Sequence, residues 1–306
     1  MNMKLETLRP HMPTQPKIVS ASRRTDIPAF YAPWFMNRIR EGVALYPNPL
    51  FPGKIHRVDL TPKAVNGIVF WTRYPKPLMP YLKELDQRGY AYYFLITILN
   101  YPREIEPRRV PIQKSIEAVH ALSQIIGPER VIWRYDPVML ASHKIDRSFH
   151  VENFSRLCEA LAPSTRKVIV SVIDPYQKAL SDLKRWNISF NRVDYEDLFL
   201  EMVRISRKAG LTLQSCAEPF IKIPGVVPGR CVDAELIETL SGKKTSKAAH
   251  VQRKGCLCQK SVDIGIAHTC LFGCRYCYAS SLDQIAQNNY RKHDPNSPRL
   301  IQTPHS

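Results

Sequence analysis

The sequence lacks any long apolar run. No stretch of its 306 residues is apolar over enough length to span a bilayer. The first residues, MNMKLETLRPHMPTQPK, have no apolar core of the kind that signal peptides carry. We therefore expect a cytoplasmic protein that does not associate with a membrane. In that reducing compartment, clustered cysteines serve metal or redox chemistry more often than disulfides.

Acidic residues are also scarce. The chain has 27 Asp and Glu against 44 Lys and Arg, a formal net charge of +17. Such an excess attracts nucleic acid or small phosphorylated and carboxylated molecules, although a basic solvated surface that binds nothing would have the same composition. The densest basic run, SGKKTSKAAHVQRKG at 241–255, has no apolar periodicity, which predicts an exposed connector.

Short apolar runs rich in β-branched and aromatic residues alternate with amphipathic segments. Polar residues and a proline follow six of these runs, and proline marks where a strand leaves a sheet. The amphipathic segments at 81–89, 112–127 and 195–210 end at glycine, as helices often do. The strand-like runs lie at 17–22, 66–72, 91–98, 130–134, 167–173 and 211–216, with a seventh at 262–269.

This alternation predicts an α/β fold with a parallel sheet covered by helices. We expect a (β/α) barrel-like, TIM-barrel-like region of six or seven strands over residues 14–240. A basic connector follows at 241–255, and a cysteine segment at 256–290 completes the same domain. Residues 1–13 and 291–306 are interpreted as tails. Cys158 shares a helical face with Val151, Phe154 and Leu161, so it is expected in the core.

Polar residues follow the predicted strands, and the carboxyl ends of parallel strands carry the active sites of barrels and open α/β sheets. Any single Asp or Asn before proline is an ordinary turn former. Charged pairs at strand ends instead suggest clamps for anions or carboxylates. We expect one shared mouth, lined by the cysteine loop and by Ser22, Arg23, Arg24, Asp26, Thr72, Arg73, Asn100, Arg134, Asp136, Asp174, Cys216 and Glu218.

Three thiols lie close together in the loop HTCLFGCRYCYAS at 268–280. Cys270, Cys274 and Cys277 are flanked by glycine, arginine and tyrosine in a segment too irregular for a packed face. Three thiolates cannot complete a four-ligand site, so either a fourth protein ligand comes from elsewhere in the chain or one position stays open, as chemistry at a metal or cluster requires. The loop therefore predicts a reactive metal or iron-sulfur site.

The segment CLFGCRYCY resembles the cysteine loop of radical S-adenosylmethionine enzymes. This resemblance implies a [4Fe-4S] cluster on Cys270, Cys274 and Cys277, with Tyr276 beside it. It further implies S-adenosylmethionine bound through its amino and carboxylate groups to the open iron, and a reductant such as ferredoxin or flavodoxin. Together with SASRRTDIPAFY and HDPNSP, residues 255–280 resemble the bacterial family catalogued as domain of unknown function 1848.

The chain departs from those enzymes in two ways. Its motif follows the last predicted strand, as in a circularly permuted partial barrel, and it has no Gly-Gly-Glu strand to contact the methionyl amine. The first and last strands of a closed barrel are neighbours, so SASRRTD would still lie beside the cluster. Asp26 would then bind the amine and Arg23 or Arg24 the carboxylate. Further cofactor contacts are expected from Arg134, Asp136 and Glu218.

The sequence has four cysteines besides Cys158 and the three in the loop. Cys216, Cys231, Cys256 and Cys258 could together hold a second cluster or a structural zinc ion. Alternatively, Cys216 and Cys231 are simply small buried residues.

Functions of other classes stay open at this point. Spore photoproduct lyase has a similar loop, which with the basic charge suggests a radical-type nucleic-acid repair enzyme. A non-catalytic nucleic-acid-binding protein with zinc or iron-sulfur is another candidate, although no aromatic residues are interleaved with the basic run as stacking platforms. A redox module is a third candidate, and it would not need a full barrel.

Overall fold

Eight parallel strands form the central sheet of the protein. The computed structural model describes residues 17–47, 54–141, 145–174, 177–185, 195–217, 222–249, 255–280 and 283–302. Within them the strands are β1 (Lys17–Ala21), β2 (Val43–Pro47), β3 (Ile55–Asp59), β4 (Val65–Thr72), β5 (Tyr92–Thr97), β6 (Val131–Val138), β7 (Lys167–Val172), β8 (Thr212–Ser215), β9 (Val227–Pro228) and β10 (Ser261–Asp263).

The strand order of the sheet is β10-β1-β4-β5-β6-β7-β8-β9, and every neighbouring pair is parallel. The first strand therefore lies between β4 and the last strand. The remaining two strands, β2 and β3, pair with each other in an antiparallel ribbon outside this sheet. Because all eight strands run the same way, their carboxyl ends lie along one edge.

Helices connect most of these strands. They are α1 (Ile27–Phe30), α2 (Ala32–Glu41), α3 (Leu82–Gln87), α4 (Ile112–Ile126), α5 (Arg147–Leu161), α6 (Gln177–Arg185), α7 (Glu196–Lys208), α8 (Ala234–Ser241) and α9 (Asp283–Arg291). Local sequence sets their limits. Asp146 caps α5 by accepting the Phe149 N–H, Asp233 caps α8 in the same way, and α4 ends at Gly127.

The two faces of the sheet pack differently. Alternate strand residues such as Ile68 and Phe70 join the larger core, which α2, α4, α5 and α7 cover. On the other face, Val69 belongs to a smaller cluster with α8 and four of the cysteines. Gly67 allows α8 to approach closely, because a Cβ at this position would collide with Ile237.

The α/β class and the parallel sheet are confirmed, with eight strands where six or seven were expected. Six of the predicted runs form β1 and β4–β8. The seventh run, at 262–269, is a strand only in its first two residues, which belong to β10. The β2–β3 ribbon, β9 and α2 were not predicted. In the described residues β9 and β10 do not pair with each other, so the closed barrel is not confirmed. The domain limits remain predictions.

The described chain contains no helix with the length and apolarity needed to cross a membrane. Cys158 is fully buried in the larger core, as its helical spacing predicted.

The buried side chain of His150 in α5 forms hydrogen bonds to β6 and to the residue that follows it. His150 Nε2 lies 2.8 Å from the Met139 carbonyl, and Nδ1 lies 2.9 Å from the Tyr135 hydroxyl. The carbonyl can only accept, so Nε2 carries the proton and Nδ1 accepts from the tyrosine. Burial lowers the pKa of His150 to about 4. The folded protein therefore keeps this ring neutral at pH values where the unfolded chain is protonated.

This difference predicts a loss of stability in mild acid. The unfolded chain gains a proton below pH 6.5, whereas folded His150 does not until about pH 4. We expect His150 to lower the free energy of unfolding by about 1.5 kcal/mol between pH 6.5 and 5. Urea unfolding at both pH values should show this drop as the difference in pH dependence between the wild type and His150→Gln, because the raised pKa of Asp26 adds a change of opposite sign to both proteins. The control His120→Gln, at a half-buried position of α4, should leave the drop intact; an identical drop in both variants contradicts the assignment.

Candidate functional site

A cavity of about 440 Å³ opens at the carboxyl ends of the strands. A volume of this order suits a small-molecule ligand or cofactor. The side chains that surround it come from β4, β5, β6 and β7, from the segments that follow β1, β8 and β9, and from the segments on both sides of β10. Its lining includes Ser22, Arg23, Arg24, Asp26, Trp71, Thr72, Arg73, Arg134, Asp136, Ser171, Asp174, Cys216, Cys231, Cys256, Cys258, Cys270, Phe272, Cys274, Tyr276 and Cys277.

The expected shared mouth is therefore observed for nearly all the residues predicted to form it. Asn100 is the exception, because its side chain donates to Asn153 and it does not line the cavity. It was predicted at the mouth only because it closely follows the strand-like run at 91–98. Glu218 lies outside the described residues, so its place at the mouth stays a prediction.

The pairing of β1 with β10 brings the N-terminal segment beside the cysteine loop, as expected. Asp263, at the end of β10, joins the two strands: its carboxylate accepts from the Ser22 hydroxyl at 2.6 Å and from the Arg23 backbone N–H at 2.9 Å. The Arg24 guanidinium lies against the Gly265 carbonyl at 3.4 Å. Gly265 has no room for a side chain, because a Cβ would collide with Ser22. Both arginines are thus held at the wall of the cavity.

Asp26 has structural partners at both carboxylate oxygens. Its Oδ1 accepts the Ala29 N–H at 3.0 Å and caps α1, and its Oδ2 accepts the Arg73 N–H at 2.7 Å. Burial raises the pKa of Asp26 to about 6, and these hydrogen bonds oppose the rise. The carboxylate therefore holds β1 to β4, and its contact with a ligand amine remains a prediction.

The three cysteines of the loop reach the cavity together. Cys270, Cys274 and Cys277 are half-buried, and the Cys277 N–H donates to the Cys274 carbonyl at 3.1 Å, which closes the turn between them. Burial raises the pKa of Cys270, and it raises that of Cys274 to about 12. A bound cation would have to displace the thiol protons to make these sulfurs ligands.

A buried ion pair between Arg73 and Glu106 contacts Tyr276 of the cysteine loop. The Tyr276 hydroxyl donates to Glu106 Oε1 at 2.5 Å and accepts from Arg73 Nη1 at 2.7 Å, and Arg73 pairs with Glu106 at 2.7 Å. Burial opposes the charge of Arg73, yet Glu106 and Tyr276 hold its pKa well above the usual range. The loop conformation is therefore fixed by charges that cannot separate without a large cost.

A second contact region holds the start of the same loop. Arg108 donates to the Leu271 carbonyl at 2.7 Å and pairs with Asp283 at 3.0 Å. The Arg275 N–H donates to the Ile105 carbonyl at 3.0 Å. The segment that follows β5 is therefore a platform for the cysteine loop.

Two guanidinium groups lie over one indole ring. The carbon Cζ of Arg134 is 4.9 Å from the Trp71 ring centroid, and that of Arg23 is 6.0 Å away. Arg134 pairs with Asp136, which also accepts from Ser171. Three buried donors in this part of the described chain have no hydrogen-bond partner: Arg23 Nη1, Arg134 Nε and Trp71 Nε1. Unsatisfied donors beside cations favour an anionic acceptor.

The sequence analysis missed several of these residues. Asp263 was hidden inside a run interpreted as a longer strand, although an acidic residue before Ile-Gly suggests a strand end. Glu106 carried a signal too, since it precedes Pro107 as other residues at the cavity precede proline. Trp71 and Ser171 gave no signal beyond their places at strand ends.

The other four cavity cysteines form a separate group. Cys231 Sγ lies 3.8 Å from Cys216 Sγ, and the Val232 N–H donates to Cys258 Sγ at 3.5 Å. The Cys258 thiol also has hydrogen-bonding contact with Cys256. Hydrogen bonds from Cys231 and Cys258 lower the pKa of Cys216, while that of Cys231 is raised. None of the eight cysteines forms a disulfide.

Thiols gather in both groups, but their present rotamers do not enclose an ion. Across the described residues, no three His, Cys, Asp or Glu side chains are arranged so that they could hold a metal ion. Rotation about the Cα–Cβ bond moves a cysteine sulfur by up to about 3 Å between staggered positions. Changes of rotamer would therefore be needed before either group of thiols could bind an ion.

The basic run does not add to this site. In its described part, Lys247 lies 3.7 Å from both Glu235 and Glu238 of α8, and Lys243 and Lys244 are exposed. Arg253 and Lys254 belong to residues that are not described. The neighbouring acidic side chains offset part of the positive charge that would attract a nucleic acid.

Comparison with known proteins gives a family and little more. No curated protein matches the chain significantly. Five chains of solved structures match. The similar solved structures include that of the pneumococcal virulence factor StrH, described for N-glycan recognition and hydrolysis. Its TM-score is 0.26 at 10% identity over 68% of this chain, which spans 54% of that chain, and a likeness this weak carries no argument.

A family model covers almost the whole described fold, from β1 to the end of the cysteine loop. Residues 18–279 match the model described as Domain of unknown function (DUF1848). The chain therefore belongs to that family.

Proposed function

We propose that the protein is an iron-sulfur enzyme of radical S-adenosylmethionine type. Cys270, Cys274 and Cys277 would hold a [4Fe-4S] cluster and leave one iron open for S-adenosylmethionine. The observation that carries this proposal is the convergence of three thiols from one short loop with two arginines on a single cavity at the strand ends. When bound, the cluster would supply the electron that cleaves S-adenosylmethionine reductively.

The residues around the loop fit a cluster for two reasons. Three thiolates on one loop leave a coordination position free, which a substrate-binding cluster requires. Burial and Glu106 raise the pKa of the Cys274 thiol, and the cation of Arg73 lowers it. Arg73 would therefore offset part of the negative charge of a ligated cluster.

The guanidinium pair on Trp71 supports an anionic partner for the cluster site. Arg134 Nε and Arg23 Nη1 are donors without acceptors in the described chain, and a carboxylate would satisfy both. Arg134 keeps this donor although its Nη2 pairs with Asp136, and Arg23 keeps its Nη1 although its Nε pairs with Asp263. These donors would orient the methionyl carboxylate, and the apolar face of Trp71 would exclude water from it.

The reaction itself tests the proposal. Anaerobically reconstituted protein, mixed with dithionite and S-adenosylmethionine, should release deoxyadenosine and methionine, which chromatography with mass spectrometry detects. The same protein without dithionite is the control. Deoxyadenosine at the level of the control, from protein that carries a full cluster, contradicts the radical assignment.

Removal of one loop sulfur should abolish the cluster. We expect about four iron and four sulfide per chain for the loop site of reconstituted wild-type protein, and less than one of each for Cys270→Ser, Cys274→Ser or Cys277→Ser. Iron and sulfide analysis with visible absorption measures this loss. The control Cys158→Ser, which changes a thiol buried in the larger core, should retain the cluster. Full iron content in all three loop variants rejects these ligands.

The arginine beside Trp71 should control affinity for S-adenosylmethionine. Arg134→Lys keeps the charge but loses the Nε donor and the planar stack. We expect the dissociation constant of S-adenosylmethionine to rise about tenfold or more, since a charged hydrogen bond is lost. Calorimetry on cluster-loaded protein measures it. Arg204→Lys, at an exposed position of α7, is the matched control, and equal affinities for the two variants contradict the anion site.

A further inference from the structure

The four remaining cavity cysteines come from three separate parts of the chain. Cys216 follows β8, Cys231 follows β9, and Cys256 with Cys258 precedes β10. Each is at most 8% exposed, and all belong to the smaller apolar cluster. Their meeting does not depend on the cysteine loop and is independent of the function proposed above.

One pair of these sulfurs has the spacing of neighbouring ligands on a single metal ion. In a tetrahedral site with Zn–S bonds of 2.3 Å, neighbouring sulfurs lie about 3.8 Å apart. Cys216 and Cys231 have this separation, 3.8 Å between their sulfurs. A cubane cluster binds each cysteine to a different iron and therefore needs wider separations. The spacing of this pair therefore favours a single metal ion over a cluster. Packed thiols lie at a similar distance, so the contacts around the group must distinguish a metal site from an apolar core.

The backbone around the group favours thiolates over packed thiols. The Val232 N–H points at Cys258 Sγ at 3.5 Å, and N–H donors of this kind stabilise the charge on metal-bound sulfur. The Arg134 cation acts on Cys216 and Cys231 from the cavity side. Four buried thiols with a backbone donor and a cation beside them are poorly suited to a purely apolar core.

The position of the group in the sheet suggests what a metal would do. β9 and β10 are the two edges of the sheet, and they do not pair in the described residues. The segments next to these edges meet at the cysteines, where the Gln259 N–H donates to the Val232 carbonyl at 3.1 Å and the Ala234 N–H donates to Gln259 Oε1 at 2.9 Å. A metal ion here would join the two edges where strand pairing does not.

We propose that Cys216, Cys231, Cys256 and Cys258 bind one zinc ion that closes the seam between the two edges of the sheet. Binding releases the thiol protons to solvent and fills all four positions of a tetrahedron, so the site is structural. It also forms part of the cavity wall on the side facing Arg134.

Metal analysis of full-length protein, purified without added metal, tests this site. We expect about one zinc per chain in the wild type and in Cys270→Ser, and loss of that zinc in Cys231→Ser and Cys258→Ser. Cys158→Ser is the matched control and should keep its zinc. Zinc X-ray absorption on the wild type should show four sulfur neighbours at about 2.3 Å, a readout that does not require any variant to fold.

A stability measurement tests the seam. Removal of zinc by a chelator should lower the unfolding temperature of the Cys270→Ser protein by roughly 5–10 °C, and added zinc should restore it. This variant lacks the proposed cluster ligand, so the shift reports on zinc alone. Zinc bound through nitrogen or oxygen, iron in place of zinc at these cysteines, disulfides among them, or an unchanged unfolding temperature overturns the proposal. Failure of cluster assembly in the wild type, with zinc intact, overturns only the function proposed above.

Discussion

The parallel direction of the central strands is the constraint on which the site depends. With all eight strands pointing the same way, every loop that follows a strand emerges at one edge. Residues as distant in sequence as Ser22 and Asp263 thereby become hydrogen-bonded neighbours. The cavity is the space that these loops enclose, so its chemistry is a property of the topology and not of any one segment.

Charges buried beside the cavity divide into those that hold the architecture and those that face a ligand. The carboxylates of Asp26, Asp263 and Glu106 accept from backbone N–H groups, from a neighbouring hydroxyl or from Arg73. Arg23 and Arg134 instead retain donors without acceptors in the described residues. Each of these two arginines also pairs with a carboxylate, Arg23 with Asp263 and Arg134 with Asp136, so the interior has no excess of positive charge. An anionic ligand would therefore be recognised through the N–H groups that lack acceptors and not through net charge.

The sequence alone predicted most of the sheet, because each apolar run and its following proline is a local signal. The proline after β1, β4 or β7 marks the strand end wherever the rest of the chain lies. Contacts between distant segments left no such signal. Glu106 meets Tyr276 across 170 positions, and nothing near either residue indicates the other. For the same reason, cysteine spacing predicted two groups of thiols but not that the second lies where β9 and β10 fail to pair.

The indole of Trp71 has a further consequence. It is half-buried at the cavity wall, with the guanidinium groups of Arg23 and Arg134 over its ring. The energy of an excited indole depends on the electric field across it, and these two cations and their carboxylate partners contribute to that field. A molecule that binds beside either cation would therefore change the emission of Trp71, one of the four tryptophans of the chain.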